Sequence, residues 1–368
     1  MAEGISSLTV LNSIVMVITG SLNAIANKRQ GDLGYKYGLT VTFQMFVGEF
    51  LNIFALILPI MFSFSYRRRH YAELDKEAEE GQKGRKVGFF RLGFGGFLDS
   101  FGSGLQTFAI FLLPASIWQM MRNATVIFVV IFTVVYLKKP VRGHSWVAVV
   151  LSMVGFILVG SASLMVESGA DPEGRLRDSP VINSLIGIVL LLVSLVFSGF
   201  QFAYQEKLFD NFVFDPRRLV GAESIVGAVT LTLCLAITSR IPCPNKEMCT
   251  NSIDDPSEGI LALLASRELL FWAGCSALSI MVYNLSGLYL TKHVSSIFRI
   301  IMDSVRTIVI WAVCISVGLE KFSWPCFYLQ APGFLFLIAG NLVNNRIIKL
   351  PCFEPKDQPN DKQEPIVL

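Results

Sequence analysis

Ten stretches of this 368-residue chain are apolar and long enough to cross a lipid bilayer as helices. The chain is 53% hydrophobic and 16% charged, whereas a soluble domain carries about 25% charged residues. We therefore predict an all-α polytopic membrane protein with ten transmembrane helices. The predicted spans are Leu8–Asn27, Thr40–Phe62, Val87–Leu113, Ser116–Leu137, Trp146–Met165, Ile182–Gln205, Leu219–Thr238, Leu269–Leu290, Ser295–Val317 and Pro325–Val343.

The ninth of these spans carries charge at helical spacing. Arg299, Asp303 and Arg306 stand at i, i+4 and i+7, so they share one face of a helix whose other face is apolar. Ionisable groups at membrane depth are costly and normally face a bundle interior or a water-filled cavity. The pattern indicates a charged internal path. The alternative is an intrahelical charge network that only neutralises itself.

The chain contains an internal repeat at an offset of about 180 residues, the spacing that one duplicated five-helix unit gives. SIWQMMRNATVIFVVIF from Ser116 aligns with SIFRIIMDSVRTIVIWA from Ser296, and VITGSLNAIANK from Val17 aligns with VFSGFQFAYQEK from Val196. Five spans per repeat is an odd number, so the second repeat enters the membrane with opposite topology. Inverted repeats of this kind place a substrate site near the midplane between them. The predicted divisions are a first five-helix repeat over 1–165, an inter-repeat loop over 166–181, a second repeat over 182–345 and a disordered cytosolic tail over 346–368.

These segments resemble the drug/metabolite transporter superfamily (EamA-like), and within it subfamily F of the solute carrier family 35 branch. The resemblance covers about Leu8 to Asn345, and MDSVRTIVIW is its most specific part. It implies a secondary transporter that moves a small organic metabolite, such as a nucleotide sugar, nucleoside or vitamin, across an internal membrane by alternating access. Transport would run by exchange or with proton coupling. The alternative is a non-transporting membrane receptor or assembly partner that retains the transporter fold.

Polar side chains on several spans are candidates for the substrate site. Gln119, Arg122 and Asn123 share a face of the fourth span, in the segment that aligns with the charged face of the ninth. We expect the two faces to meet across a central cavity. Polar faces of the first and sixth spans either line that cavity or bond neighbouring helices together. The predicted substrate-binding residues are Gln119, Arg122, Asn123, Arg299, Asp303, Arg306, Asn23 and Gln201.

Three carboxylates lie within other spans, Glu49 in the second, Asp99 in the third and Glu223 in the seventh. Each either takes part in coupling or forms a static salt bridge with an arginine. The spacing of histidines and cysteines matches no metal site, and no phosphate-binding loop motif is found, so we expect no enzyme activity, no metal and no cofactor. The expected partners are the lipid bilayer and a small-molecule substrate, with no nucleic acid, and the protein is expected to be a monomer or homodimer.

The distribution of Lys and Arg predicts the orientation. With both termini in the cytosol, the cytosolic segments carry 18 of these residues and the opposite side carries nine. Cys243 and Cys249 share a loop on that opposite side, where they form a disulfide or remain two free thiols. The pattern Tyr71–Leu74 resembles a tyrosine-type sorting signal. Together with the family resemblance it favours an internal membrane, of the Golgi or of lysosomes and endosomes.

Overall fold

The computed structural model describes residues 7–81, 84, 87–138, 143–168, 180–243, 251–293, 296–316, 324–344 and 348. This part of the chain is almost entirely helical, and its only β-pairing consists of two isolated bridges. The helices are α1 (Ser7–Asp32), α2 (Gly38–Phe50), α3 (Asn52–Phe62), α4 (Phe64–Gly81), α5 (Phe89–Leu112), α6 (Ala115–Arg122), α7 (Thr125–Val135), α8 (Gly143–Ser168), α9 (Pro180–Asn211), α10 (Pro216–Thr238), α11 (Pro256–Ala265), α12 (Arg267–His293), α13 (Ser296–Ser316) and α14 (Trp324–Asn344).

Within the described residues, 7 helical segments are long and apolar enough to cross a membrane. The prediction of an all-α, multi-pass membrane protein is confirmed, and the number ten stays a prediction. The three other predicted spans are also helical in the structure but are not among these 7 segments. The second is divided at Leu51 into α2 and α3, the third is the glycine-rich α5, and the ninth is the charged α13. The 7 segments are Thr9–Asp32, Ile117–Val135, Gly143–Ala162, Val181–Asn211, Arg217–Thr238, Arg267–Gly287 and Phe327–Asn344.

Most helices pack against helices from a distant part of the chain. α1 packs along α12 and α5 along α9, while α8 packs along α14. α2 contacts both α12 and α10, and α10 in turn contacts α5. α6 crosses α13. Nearly all of these partners lie far apart in sequence, so the bundle is held together by long-range helix contacts.

Glycines bring two of these pairs into close contact. A Cβ added at Gly48 of α2 would overlap the carbonyl of Ala277 on α12. A Cβ added at Gly96 of α5 would overlap the carbonyl of Glu223 on α10. Helices in lipid lack a hydrophobic drive to associate, so small residues at the contact contribute through close packing. Only glycine fits at these two positions.

The loop between α10 and α11 packs against the start of α2. The Asp254 side chain is fully buried there and accepts hydrogen bonds from the backbone N–H of Leu39 at 2.7 Å and of Thr40 at 3.2 Å. It also accepts the Thr40 hydroxyl at 2.7 Å. These backbone groups belong to the first turn of α2, which has no acceptor within its own helix. Burial raises the pKa of Asp254 to about 6.

The polar connection between the second and third predicted spans, which was not among the predicted helices, contains a helix, α4. Its Leu74 and Ala78 are buried against Val213 in the α9–α10 connection. Gly84 extends the contact, because its N–H donates to the Asn211 carbonyl and its carbonyl accepts the Val213 N–H, each at 2.9 Å. Leu74 is the last residue of the predicted sorting pattern. A buried, helical leucine is not displayed to a sorting receptor, so this pattern no longer supports the predicted location.

Candidate substrate site between α6 and α13

The polar faces of α6 and α13 meet, as predicted for the fourth and ninth spans. The Gln119 and Asn123 amides approach the Thr307 hydroxyl, with N–O distances of 3.5 Å and 3.4 Å. Gln119 is 2% exposed and Thr307 is fully buried. Three polar groups therefore share one buried contact between helices that are far apart in sequence. Thr307 was missed by the sequence analysis, although it directly follows Arg306 in the charged segment.

Asn123 also marks an interruption of the fourth predicted span. α6 ends at Arg122 and α7 begins at Thr125, with a turn at Asn123–Ala124 between them. The Asn123 side chain donates to the carbonyls of Gln119 and Met120, and the Thr125 hydroxyl donates to the Arg122 carbonyl at 2.7 Å. Asn123 and Ala124 both keep helical backbone angles, so Ile117–Val135 remains one helical segment, and side chains satisfy the carbonyls at the turn.

Arg306 lies buried on α13, held by an acid and an aromatic ring. Its Nη1 lies 3.5 Å from Asp303 Oδ1, and its guanidinium lies 4.9 Å from the centroid of the Tyr283 ring. The Tyr283 hydroxyl donates to the same Asp303 oxygen at 2.8 Å. Gly20 of α1 makes room, since a Cβ there would lie 2.5 Å from Arg306 Cδ. Tyr283 was missed because a single tyrosine in an apolar span gives no periodic signal.

Arg122 faces this group from the other predicted repeat. Its guanidinium lies 5.0 Å from the Trp118 ring centroid, and it interacts electrostatically with Arg306 and Asp303. Asp303 therefore interacts with both arginines, and Arg122 also interacts with Asp99. The Gln119 Oε1 and the Arg306 Nε are both buried without a hydrogen-bond partner. We define Gln119, Arg122, Asn123, Tyr283, Asp303, Arg306 and Thr307 as the arginine cluster.

The remaining predicted substrate-binding residues fall elsewhere. The Arg299 side chain lies outside the described part of the structure. Asn23 donates from Nδ2 to the carbonyl and hydroxyl of Ser276 on α12, at 3.1 Å and 3.2 Å. The Asn27 amide in turn donates to the Asn23 side-chain oxygen. Gln201 hydrogen-bonds the Asp99 carboxylate instead. Asn23 therefore bonds α1 to α12, which agrees with the alternative that the sequence analysis left open for it.

The three intramembrane carboxylates form a second group, with neutral partners. Glu49 accepts the Asn284 amide at 3.0 Å, and Glu223 accepts the Gln205 amide on both oxygens, at 2.9 Å and 3.0 Å. Asp99 accepts the Ser103 hydroxyl at 2.7 Å. The three interact electrostatically with one another, and Asp99 also interacts with Arg122. We define Glu49, Asp99 and Glu223 as the carboxylate group.

The loop before α11 also contains a disulfide-bonded cysteine. Cys243 is disulfide-bonded, and its partner lies outside the described residues, as does Cys249. Cys234 and Cys275 are free thiols. Across the described ranges, no group of three or more His, Cys, Asp or Glu side chains is placed to hold a metal ion.

The comparisons with known proteins show the family of the chain. A model of the nucleotide-sugar transporter family matches residues 12–212, more than half of the chain. The chain belongs to the nucleotide-sugar transporter family. Within the drug/metabolite transporters it falls in subfamily F of solute carrier family 35, which confirms the resemblance. This member of the family is a solute transporter and not an enzyme.

Individual relatives extend over almost the whole length. Solute carrier family 35 member F6 of Homo sapiens is 27% identical over 340 residues, which is 90% of this chain and 87% of the relative. An uncharacterized protein of Schizosaccharomyces pombe is also 27% identical, over 93% of this chain and 98% of its own length. A solved crystal structure matches with a TM-score of 0.50 and 12% identity, over 94% of this chain and 98% of the other. That likeness is one of fold.

Proposed function

We propose that this protein is a secondary transporter of a small organic solute that carries an anionic or zwitterionic group. The observation that supports this most directly is that two arginines, Arg122 and Arg306, interact electrostatically with one another and with Asp303. Arg306 is buried and Arg122 is partly buried, so their like charges repel one another, and a solute anion that binds both guanidinium groups offsets this repulsion. Of the predicted classes, nucleotide sugars and acidic vitamins carry such a group, whereas nucleosides do not.

The helix pairing supports transport by two inverted five-helix repeats. In the two predicted repeats, α1 corresponds to α9, α2 to α10 and α5 to α12. Exchanging each helix with its counterpart converts the contact α1–α12 into α9–α5, and the contact α2–α12 into α10–α5, and the structure contains all four contacts. The pairs α2–α10, α8–α14 and α6–α13 exchange into themselves, as pairs on a two-fold axis do. The arginine cluster lies in one of these self-related pairs. A site on the axis is open to either side in turn when one repeat rocks against the other.

Binding and release follow from the ion pair that is already present. In the structure Asp303 accepts a hydrogen bond from Tyr283 and pairs with Arg306. An anionic group that enters takes the guanidinium of Arg122 and competes with Asp303 for Arg306. The bound state then keeps its charges paired, because the solute replaces an internal partner. The unpartnered Gln119 Oε1 offers an acceptor for a solute hydroxyl or amine.

The carboxylate group provides the means of coupling transport to a proton or to a second solute. Burying a carboxylate without a countercharge costs free energy, so three carboxylates with mostly neutral partners favour uptake of a positive charge. A proton that binds Glu49, Asp99 or Glu223 meets this need. The link between Asp99 and Arg122 connects the carboxylate group to the arginine cluster. We therefore assign exchange or proton coupling to this connection.

The proposed setting is an internal membrane with both termini in the cytosol, in the Golgi or in lysosomes and endosomes. The loop charge distribution supports the orientation. The disulfide at Cys243 agrees with it, because the proposed orientation puts this residue on the oxidising side. Cys249 is its proposed partner.

Uptake into liposomes that contain the purified protein tests the proposal. The panel comprises nucleotide sugars, nucleosides, vitamins and a cationic drug, and we expect uptake of an anionic or zwitterionic member only. Asp303→Asn and Arg306→Gln should each lower that uptake by about tenfold or more, the loss expected for a charged hydrogen bond. Arg29→Gln is the control, because Arg29 pairs with Glu268 at an exposed site. Normal uptake by both cluster variants would show that the arginine cluster is structural.

A further inference from the structure

We infer that the beginning of α4, with the end of α3, forms a binding surface for anionic phospholipid headgroups. The surface consists of Met61, Phe62, Phe64, Arg67, Arg68 and Arg69, which we call the α3–α4 surface. It lies away from the arginine cluster, and transport does not depend on it in the mechanism above.

The apolar part of this surface lies at the end of a membrane helix. Met61 is 71% exposed, Phe62 83% and Phe64 72%. Phe90, in the first turn of α5 at the same end of the bundle, is 87% exposed. Apolar and aromatic side chains that are exposed where a span ends lie at the boundary between acyl chains and headgroups. These four residues therefore mark the depth at which α4 begins.

The charged part follows at once along the chain. Arg67, Arg68 and Arg69 are consecutive and all exposed. The Arg67 guanidinium lies 5.6 Å from the centroid of the Phe64 ring, so the basic and apolar parts are contiguous. Adjacent positive charges repel one another, and a nearby layer of lipid phosphates relieves this repulsion at Arg67 and Arg68, while Arg69 also interacts within the protein. Juxtamembrane basic clusters are attracted to anionic leaflets for this reason.

The rest of α4 holds this surface in place. Leu74 and Ala78 pack against Val213, and Gly84 bonds to the α9–α10 connection through its backbone. A helix docked at its far end keeps the position of its near end, so the arginines are presented at a fixed height. In a flexible loop, lipid binding would instead cost conformational entropy to order the arginines. Charge complementarity and depth together identify the occupant as an anionic lipid of the same leaflet.

Lipid selectivity of the full-length protein in mixed bilayers tests this inference. The probes are spin-labelled phosphatidylserine and phosphatidylcholine, and the measurement is their relative association with the protein by electron paramagnetic resonance. The unmodified protein should prefer phosphatidylserine. A variant with Arg67→Gln, Arg68→Gln and Arg69→Gln should lose about fivefold in preference for each arginine that contacts a headgroup, the factor for about 1 kcal/mol per basic residue.

Two controls keep the test decisive. Neutralising Arg29, Arg240 and Arg267 removes the same charge from the opposite end of the bundle, and the preference should remain. Replacing the three α4 arginines by lysine keeps their charge, and the preference should also remain, while rising salt should weaken it. An unchanged preference in the α4 glutamine variant, or no response to salt, would overturn the inference. The lysine variant and the salt series still decide the question if the glutamine variant does not fold.

Discussion

Replacing Asp254 by alanine should show how firmly the loop before α11 holds the start of α2. The substitution leaves the N–H groups of Leu39 and Thr40 and the Thr40 hydroxyl without their acceptor. A buried donor without a partner costs about 1–3 kcal/mol, and alanine at a capping position costs about 0.5–2 kcal/mol. Removing the buried carboxylate also relieves its own desolvation. We therefore expect a net loss of about 2–3 kcal/mol in the free energy of unfolding.

Thermal unfolding of the purified protein in detergent measures this loss. At roughly 2 °C per kcal/mol for a large chain, the melting temperature should fall by about 4–6 °C. The matched control is Asp255→Ala. Asp255 caps α11 by accepting the Ser257 N–H at 2.9 Å, but it does so at an exposed site where water replaces it. The reasoning is refuted if the two variants melt alike or if Asp254→Ala melts like the unmodified protein.

Three further predictions follow from the same structure. Burial raises the pKa of Asp254 from 3.8 to about 6, so the stability that its protonated form contributes is lost as the pH rises from about 4 through 6. The melting temperature should fall from pH 4 to pH 6, and less so in Asp254→Asn, which does not titrate. Thr307→Val removes the hydroxyl that the α6 amides contact on α13 and should lower liposome uptake about fivefold, with folding unchanged. Thr133→Val is the control: the Thr133 hydroxyl bonds only within its own helix, so uptake should remain the same. Gly48→Ala should reduce the melting temperature or prevent folding because its Cβ overlaps a backbone carbonyl, while Gly274→Ala, with open space around it, should stabilise α12 by about 1 kcal/mol.

Local patterns were enough for much of the architecture. Apolar length predicted the membrane helices, and helical spacing placed Asp303 and Arg306 on one face. The internal repeat predicted that the fourth and ninth spans would meet, and α6 crosses α13. These properties depend on residues close together in sequence or on the similarity of two segments. A single sequence contains both kinds of information.

The partners of each polar side chain were decided by the tertiary structure. Asn23 and Gln119 look alike in sequence, since each is an amide on a polar helix face. Asn23 meets Ser276 and bonds two helices, whereas Gln119 meets Thr307 beside two arginines. Helical periodicity reports which face a residue occupies. It does not report which helix covers that face.

The same distinction explains why α4 was not among the predicted helices. Its charge made it polar in the sequence, and Leu74 and Ala78 gave only two apolar positions one turn apart. Those positions became a helix face because Val213, far along the chain, packs against them. Most helical stability comes from the tertiary packing of such a face and not from local preference. The sequence alone determined that this chain enters the membrane many times and carries charge inside it. The tertiary structure decided which charges meet, because contacts between distant helices depend on packing that no local pattern records.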